Sequence, residues 1–324
     1  MKNVAIVSGG YSSECVISLK SAEEVYLSID KTRYNPYIVL ITRNGWTVQG
    51  GNKTEFPINK NDFSFIYKGK QIRFDFAYII IHGTPGEDGL LQGYLDILNI
   101  PYSCCGVLSA SITFNKYFCN NYLRGFGVET AKSILLKQRE QIISPERIID
   151  KLGLPLIVKP NDGGSSFGVT KVTNITQIQL AIRNAFNEGE GVLIESFIPG
   201  TEITCGYYKT KNKQVTLPIT EIISKNDFFD FEAKYNPGMV EEITPARISK
   251  KLTDEIQTLT AHIYDWVGAK GIIRIDYIIS PKKEIKMLEV NTIPGMTATS
   301  FIPQQIRAAG LNLKEILTEI IESI

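Results

Sequence analysis

The chain reads as an α/β protein whose first part is a parallel sheet. The segment "NVAIVSGG" is a buried strand that runs into a glycine turn, and "SAEEVYLSI" continues as a helix. The runs "YNPYIVLIT" and "FDFAYIIIHG" are further strands, separated by polar and glycine-bearing loops. Strand, helix and strand at this spacing form a parallel α/β unit over about the first hundred residues. Length supplies the other constraint: 324 residues exceed one ordinary core, so the chain divides into two or three domains.

Further along, "SPERIIDKLGLPLIVKP" specifies a helix and then a strand. Ser144 caps the helix, Pro145 takes its first position and Gly153 ends it. After the glycine-rich stretch "KPNDGGSSFG", residues 159–168, a helix is expected from Thr176. Thr176 and Gln179 have the spacing of a capping box, and Ile178, Ala181, Ile182, Ala185 and Phe186 form one apolar stripe for the core. "GVLIESFIPG" is a strand that leads into an irregular segment. The stretch "ISKNDFFDFEAKYNPGMVEEITPA" has weak periodicity and a Pro-Gly pair, and a loop of that length in a compact protein serves function or moves. The last helix follows Asn312 and places Leu313, Ile316, Leu317, Ile320, Ile321 and Ile324 on one side. No internal repeat or low-complexity tract is present.

Composition excludes several function classes. Hydrophobic residues make up 43% and charged residues 21%, the balance of a folded globular protein. Lysine plus arginine (35) nearly equals aspartate plus glutamate (34), so there is no basic excess for nucleic acid and no charged tail. The five cysteines lack C-x-x-C spacing and are odd in number, which argues against a disulfide framework or a zinc site. The apolar stretch in "MKNVAIVSGG" is too short for a signal peptide, and no stretch is long enough to span a membrane. A cytoplasmic location is the expectation.

Two segments carry chemistry. "GIIRIDYII" and "EIKMLEVN" are neighbouring strands joined by "SPKK". Alternation puts Arg274 and Asp276 on one face, and Glu289 and Asn291 likewise. With a two-residue turn at Lys282 and Lys283, Asp276 falls opposite Glu289 and Arg274 opposite Asn291. Carboxylates placed across a sheet repel unless a cation lies between them. The face is either solvated or a magnesium site of two carboxylates and an amide, completed by phosphate oxygens. "KPNDGGSSFG" is either a plain turn or a phosphate cradle, with backbone N–H groups, the hydroxyls of Ser165 and Ser166, and Lys159 as donors. It has neither P-loop nor G-x-G-x-x-G spacing.

With these segments in view, the chain resembles the D-alanine–D-alanine ligases, ATP-grasp carboxylate–amine ligases, over nearly its whole length. The matching pieces are "GGYSSE", "HGTPGEDGLLQGYLD", "NK" at 115–116, "LPLIVKPNDGGSSFGV", "VLIESF", "FEAKY", "RIDY" and "LEVNTIPGMTATS". The resemblance implies a three-domain ATP-grasp fold: an N-terminal parallel α/β (pre-ATP-grasp) domain over 1–103, a central domain over 104–195, and a C-terminal domain over 196–324 with a mobile loop near 225–245. It implies two Mg2+, or Mn2+ in their place, on Asp276, Glu289 and Asn291. Lys116 and Lys159 would contact the ATP phosphates, with Gly164 and Ser166 in the loop closing over them. Glu195 and the following backbone at Phe197 and Ile198 would hold the adenine, Glu202 the ribose, and Phe228 would pack on the base. Glu14 and His82 would position the first D-alanine, and Ser300 would take the carboxylate of the second. Arg274 and the Gly295 amide would form the oxyanion site. Ser165, Tyr235 and Glu14 would link the two substrates, and Lys234 would reach the transferred phosphate.

The implied reaction joins two D-alanines through an acyl phosphate, for peptidoglycan precursors, in a cytoplasmic homodimer that uses neither nucleic acid nor membrane. The alternative is an ATP-grasp ligase with another amino-acid acceptor. Cys15 and Val16 replace an arginine and a glutamate common in the family, Ser196 stands where a lysine often meets the adenine, and "NDGG" replaces "SREG". Tyr235 favours an amide product over an ester. A non-catalytic nucleotide-binding module would be expected to lose Asp276, Glu289 or Arg274, and "GGYSSE" lacks the third glycine of a dinucleotide fingerprint. Taken alone, Glu14 also suits a helix N-terminus. His82 alone reads as structural, but its place at a strand end suggests a ligand site. His262 lies on an amphipathic helix and is given no role.

Overall fold

A computed structural model describes residues 1–50, 54–137, 143–164, 167–224 and 240–324. The N-terminal sheet contains β1 (Lys2–Gly9), β2 (Tyr34–Thr42), β3 (Gly45–Gln49), β4 (Glu55–Pro57) and, after the hairpin β5 (Ser64–Tyr67) and β6 (Lys70–Arg73), β7 (Phe76–Ile79). Its order is β4-β3-β2-β1-β7, with β1 parallel to both β2 and β7 as expected. Val4, Ala5, Ile6 and Val7 are all fully buried, which explains why β1 reads as a continuous apolar run. Helix α1 (Cys15–Ser28) packs on β1 and β2. The final helix, Leu313–Ser323, is capped by Asn312 and returns to α1, where Tyr34 Oη donates to Glu322 at 2.6 Å. Ile316, Leu317, Ile320 and Ile321 are buried there, while Ile324 is largely exposed.

Helices α2 (Leu90–Ile97), α3 (Val107–Phe114) and α4 (Lys116–Arg124) follow. The central sheet, in the order β10-β9-β11-β8, comprises β8 (Ser133–Leu136), β9 (Leu156–Pro160), β10 (Thr170–Val172) and β11 (Val192–Ser196). It packs on α5 (Pro145–Leu152), capped by Ser144, and α6 (Ile178–Phe186), whose expected stripe is buried. The capping box differs from expectation. Asn174 accepts from the Thr176 N–H, and Gln177 accepts from the Asn174 N–H, each at 3.1 Å. Asn174 lies two residues past the strand end and is still extended (φ −136°, ψ 144°), so the earlier of two equally spaced pairs caps a short 3-10 turn that leads into α6.

The third sheet runs β15-β14-β12-β16-β17, with β13 also on β12. Its strands are β12 (Thr201–Lys209), β13 (Gln214–Thr216), β14 (Thr220–Ser224), β15 (Val240–Ile243), β16 (Ile272–Ile279) and β17 (Ile285–Asn291). The long stretch expected to be irregular therefore begins in one paired strand and carries another near its end, with Ile223 opposite Glu241. Backbone pairing orders these ends where side-chain periodicity gives no signal. Ala110, Cys119 and Leu123 of α3 and α4 share a core with this sheet and the helix Lys250–Trp266. His262 lies exposed on that helix, against Trp266. Helix Phe301–Ala308 joins the N-terminal core, so neither core is contiguous in sequence. Among the described residues no helix is long and apolar enough to cross a membrane, and Cys104 and Cys105 are buried thiols.

Gln305 is a fully buried tie between that helix and the third sheet. Its amide accepts from the Gly206 N–H (3.0 Å) and donates to Thr204 O (3.0 Å) and Thr220 Oγ1 (3.1 Å). Gln305→Leu removes the partner of the Gly206 N–H and of Thr204 O, while Thr220 Oγ1 keeps Thr244 Oγ1 at 2.7 Å, and is expected to lower stability by about 3 kcal/mol, read as a fall in the urea midpoint at unchanged slope.

Candidate active site

The acidic face lies on the β16–β17 hairpin, reached by a route that the simple turn did not foresee. The hairpin closes through a three-residue loop, in which Ser280 N–H donates to Glu284 O (2.9 Å) and Lys283 has φ +64°. A two-residue turn at Lys282–Lys283 would require an N–H from residue 281, and Pro281 has none. The longer loop alone would slide the pairing by one and set Asp276 against Leu288. A bulge between Asp276 and Tyr277 takes up Leu288 and restores Asp276 opposite Glu289 and Arg274 opposite Asn291.

Asp276 is closely held. Arg274 grips it through Nε to Oδ1 (2.9 Å) and Nη2 to Oδ2 (2.8 Å). Thr204 Oγ1 donates to Oδ1 at 2.6 Å, and Asn291 Nδ2 to Oδ2 at 3.0 Å. Burial works against the Arg274 charge, but the Asp276 carboxylate outweighs it and holds the guanidinium pKa above its ordinary value. Arg274 also lies over the Phe301 ring, 5.4 Å from its centroid. The turn before Phe301 carries Gly295 and Ser300. A Cβ on Gly295 would lie 2.9 Å from Ser300 Oγ, which is itself 2.7 Å from Thr297 Oγ1.

Lys116 joins this hairpin to the glycine-rich loop. It opens α4 next to the capping residue Asn115 and donates its backbone N–H to Asn161 O (3.0 Å). Its Nζ donates to Gly163 O (2.5 Å) and lies 3.4 Å from Glu289 Oε2. Lys159 and Glu195 sit diagonally on β9 and β11, with Lys159 opposite Leu193 and Glu195 opposite Ile157. They form a buried pair at 2.7 Å, and Asn120 Nδ2 adds a bond to Glu195 at 3.3 Å. Burial disfavours the Lys159 charge, but Glu195, with Glu289 and Glu202 beyond it, raises its pKa overall.

Glu14 and His82 are buried at the carboxyl ends of the parallel strands. Glu14 occupies the N-cap position of α1 but makes no capping bond with its side chain, so its burial has another cause. A Cβ at Gly164 would lie 2.9 Å from both Glu14 carboxylate oxygens. Only glycine lets the phosphate-loop backbone come this close. Glu14 and Gly164 both line a cavity of about 890 Å³, with Ser12, Gly83, Arg43 and Lys137 also on its wall.

Family models match almost the whole chain: the D-ala D-ala ligase N-terminus over residues 3–105 and the D-ala D-ala ligase C-terminus over 122–322. The chain belongs to the D-alanine–D-alanine ligase family. It is 58% identical to a D-alanine–D-alanine ligase of Bacteroides fragilis over 99% of both chains, and 59% identical to that of Parabacteroides distasonis over 99% of this chain and 97% of the relative. Among solved structures, it is similar to the VanG D-Ala:D-Ser ligase from Enterococcus faecalis (TM-score 0.87, 30% identity, 99% and 98% covered). It is also similar to the Bacillus anthracis D-alanine–D-alanine ligase complexed with ATP (TM-score 0.77, 30% identity, 100% and 96% covered). The fold is the ATP-grasp fold of these ligases.

Within this family frame, the structure brings together Glu14 with Gly164, Lys116 with Glu289, Lys159 with Glu195, Arg274 with Asp276 and Asn291, and Gly295 with Ser300. Phe197 lies under Lys171 (4.3 Å to the ring centroid), and Ile198 is half-buried after β11. Glu202, on β12 opposite Ile278, is close enough to Lys159 to help raise its pKa together with Glu195 and Glu289. Ser165, Ser166, Phe228, Lys234 and Tyr235 lie outside the described residues.

Sequence reading missed Glu87 and Ser12. Glu87 Oε2 accepts the Gly83 N–H at 2.7 Å. Burial, then the Glu14 charge, pushes its pKa up to about 8, with Lys116 opposing and Glu289 adding to the rise. The cue lay in "HGTPGEDG", where an acidic residue follows a strand end. A folded pKa above the ordinary 4.5 means that Glu87 lends stability fully below that pH and loses it as pH rises through about 8. Glu87→Gln is therefore expected to flatten the pH dependence of the ligand-free melting temperature across this window. An unchanged slope would remove Glu87 as its source.

Proposed function

We propose that the chain joins two D-alanine molecules into D-alanyl-D-alanine, for peptidoglycan precursors, converting ATP to ADP and phosphate. The observation that carries the mechanism is the bulged hairpin, which sets Asp276 beside Glu289 with Lys116 running from Glu289 to the glycine-rich loop. Among the described residues no cluster of three or more His, Cys, Asp or Glu converges on a metal position. Two carboxylates and an amide fit magnesium that takes its other oxygens from phosphates and water. We assign Asp276, Glu289 and Asn291 to two such ions, which when bound neutralise charge on the transferring oxygens.

Glu14 and His82 hold the first D-alanine so that its carboxylate attacks the γ-phosphate, giving an acyl phosphate and ADP. Lys116 and Lys159 hold the phosphates, Glu195 and the backbone at Phe197 and Ile198 hold the adenine, and Glu202 holds the ribose. Ser300 orients the second D-alanine, whose amine attacks the acyl carbonyl. Arg274 and the Gly295 amide stabilise the oxyanion before phosphate leaves. For Ser165, Ser166, Phe228, Lys234 and Tyr235 the support is the family motifs alone. Homodimerisation and a cytoplasmic location also rest on the family.

The test is ADP release from ATP, magnesium and D-alanine, with the product identified by mass. Asp276→Asn and Glu289→Gln are each expected to reduce release roughly 100-fold or more while circular dichroism stays native. Near-normal turnover in both would refute the metal assignment. The similarity to a D-Ala:D-Ser ligase makes D-serine the acceptor to compete against D-alanine. Predominant mixed dipeptide from an equimolar mixture would favour that second reading.

A further inference from the structure

Glu14 and His82 sit on two separate segments, the loop after β1 and the turn after β7. The strands themselves are already fixed. β1 pairs with β7 from Val4–Phe76 to Val7–Ile79, Ile80 N–H reaches Val7 O, and Ser18 Oγ donates to Ile80 O. Beyond the strand ends a second set of bonds begins. Ser12 Oγ donates to His82 O at 2.9 Å and accepts the Glu14 N–H at 3.3 Å. Glu87 Oε2 accepts the Gly83 N–H at 2.7 Å. The two segments lie in direct contact at Gly83, which has φ +73°. A Cβ there would lie 2.9 Å from Ser12 Oγ and 3.8 Å from Glu14 Oε2.

We propose that Ser12 and Glu87 are positioning residues that brace Glu14 against His82, and so set the affinity for the first D-alanine without touching it. Ser12 is a single hydroxyl bonded to the backbone of both residues. Glu87 anchors the far end of the turn, so that Gly83 and His82 cannot swing away from the loop. The inference rests on the assignment of Glu14 and His82 to the first substrate.

The test separates the two D-alanine KM values from initial rates over a wide substrate range. Ser12→Ala is expected to raise the first KM about tenfold, the effect of one lost hydrogen-bonded group. The second KM, kcat and the melting temperature should stay near wild type, and Ser12→Thr should recover most of the loss. Glu87→Gln, whose amide oxygen still accepts the Gly83 N–H, should bind the first substrate normally, whereas Glu87→Ala should resemble Ser12→Ala. Combining Ser12→Ala with Glu14→Gln should cost less than the sum of the two alone, because part of the hydroxyl's effect acts through Glu14. An unchanged first KM in Ser12→Ala, an equal rise in both KM values, additivity in the double variant, or Glu87→Gln as damaging as Glu87→Ala would each overturn the brace. If Glu14→Gln alone raises the first KM while Ser12→Ala does not, the brace fails and the substrate assignment stands. If Glu14→Gln has no effect, both fail.

Discussion

Asp276 and Glu289 share one largely buried sheet face, and much of the surrounding architecture answers the need to neutralise them. Two adjacent carboxylates in a region of low dielectric repel strongly. Here each has its own cation: Arg274 from the same strand for Asp276, and Lys116 from the start of α4 for Glu289. Each cation also has a second attachment. Arg274 lies on Phe301 beside the turn that carries Gly295 and Ser300. Lys116 is tied through Asn161 and Gly163 to the glycine-rich loop. Neutralising the acidic pair therefore draws distant segments to one place.

The second link runs from the glycine-rich loop to the N-terminal sheet. Glu14 lies beneath Gly164, and Glu87 is close enough to feel the charges of Glu14, Lys116 and Glu289. A single field of alternating charge thus runs from the carboxyl ends of the parallel strands to the β16–β17 hairpin. Parallel sheets present ligands at that end because the strands stop there and the following loops are free to vary. The C-terminal helices close the arrangement, since Leu313–Ser323 packs on α1, the helix that Glu14 begins.

Several elements were legible because their signals are local. Ser144, Pro145 and Gly153 bracket α5, Asn312 caps the last helix, and the stripe from Ile178 to Phe186 is buried as its period requires. The facing of Asp276 and Glu289 followed from strand alternation, although the assumed turn was wrong. A longer loop forced by Pro281 and a bulge at Leu288 cancel one another. Thr176 lost its capping role to Asn174 because the two candidate pairs have the same spacing and only the position of the strand end separates them.

Sequence by itself determined the α/β class, the parallel start, the acidic hairpin face and the glycine loop, because each depends on neighbours within a few residues. Tertiary structure alone decided that Lys116 meets Glu289, that Lys159 is paired with Glu195, and that Ser12 Oγ reaches His82 O. Those contacts join residues tens to hundreds of positions apart. Their geometry arises only when sheet packing, hairpin register and the return of the last helices have been settled together.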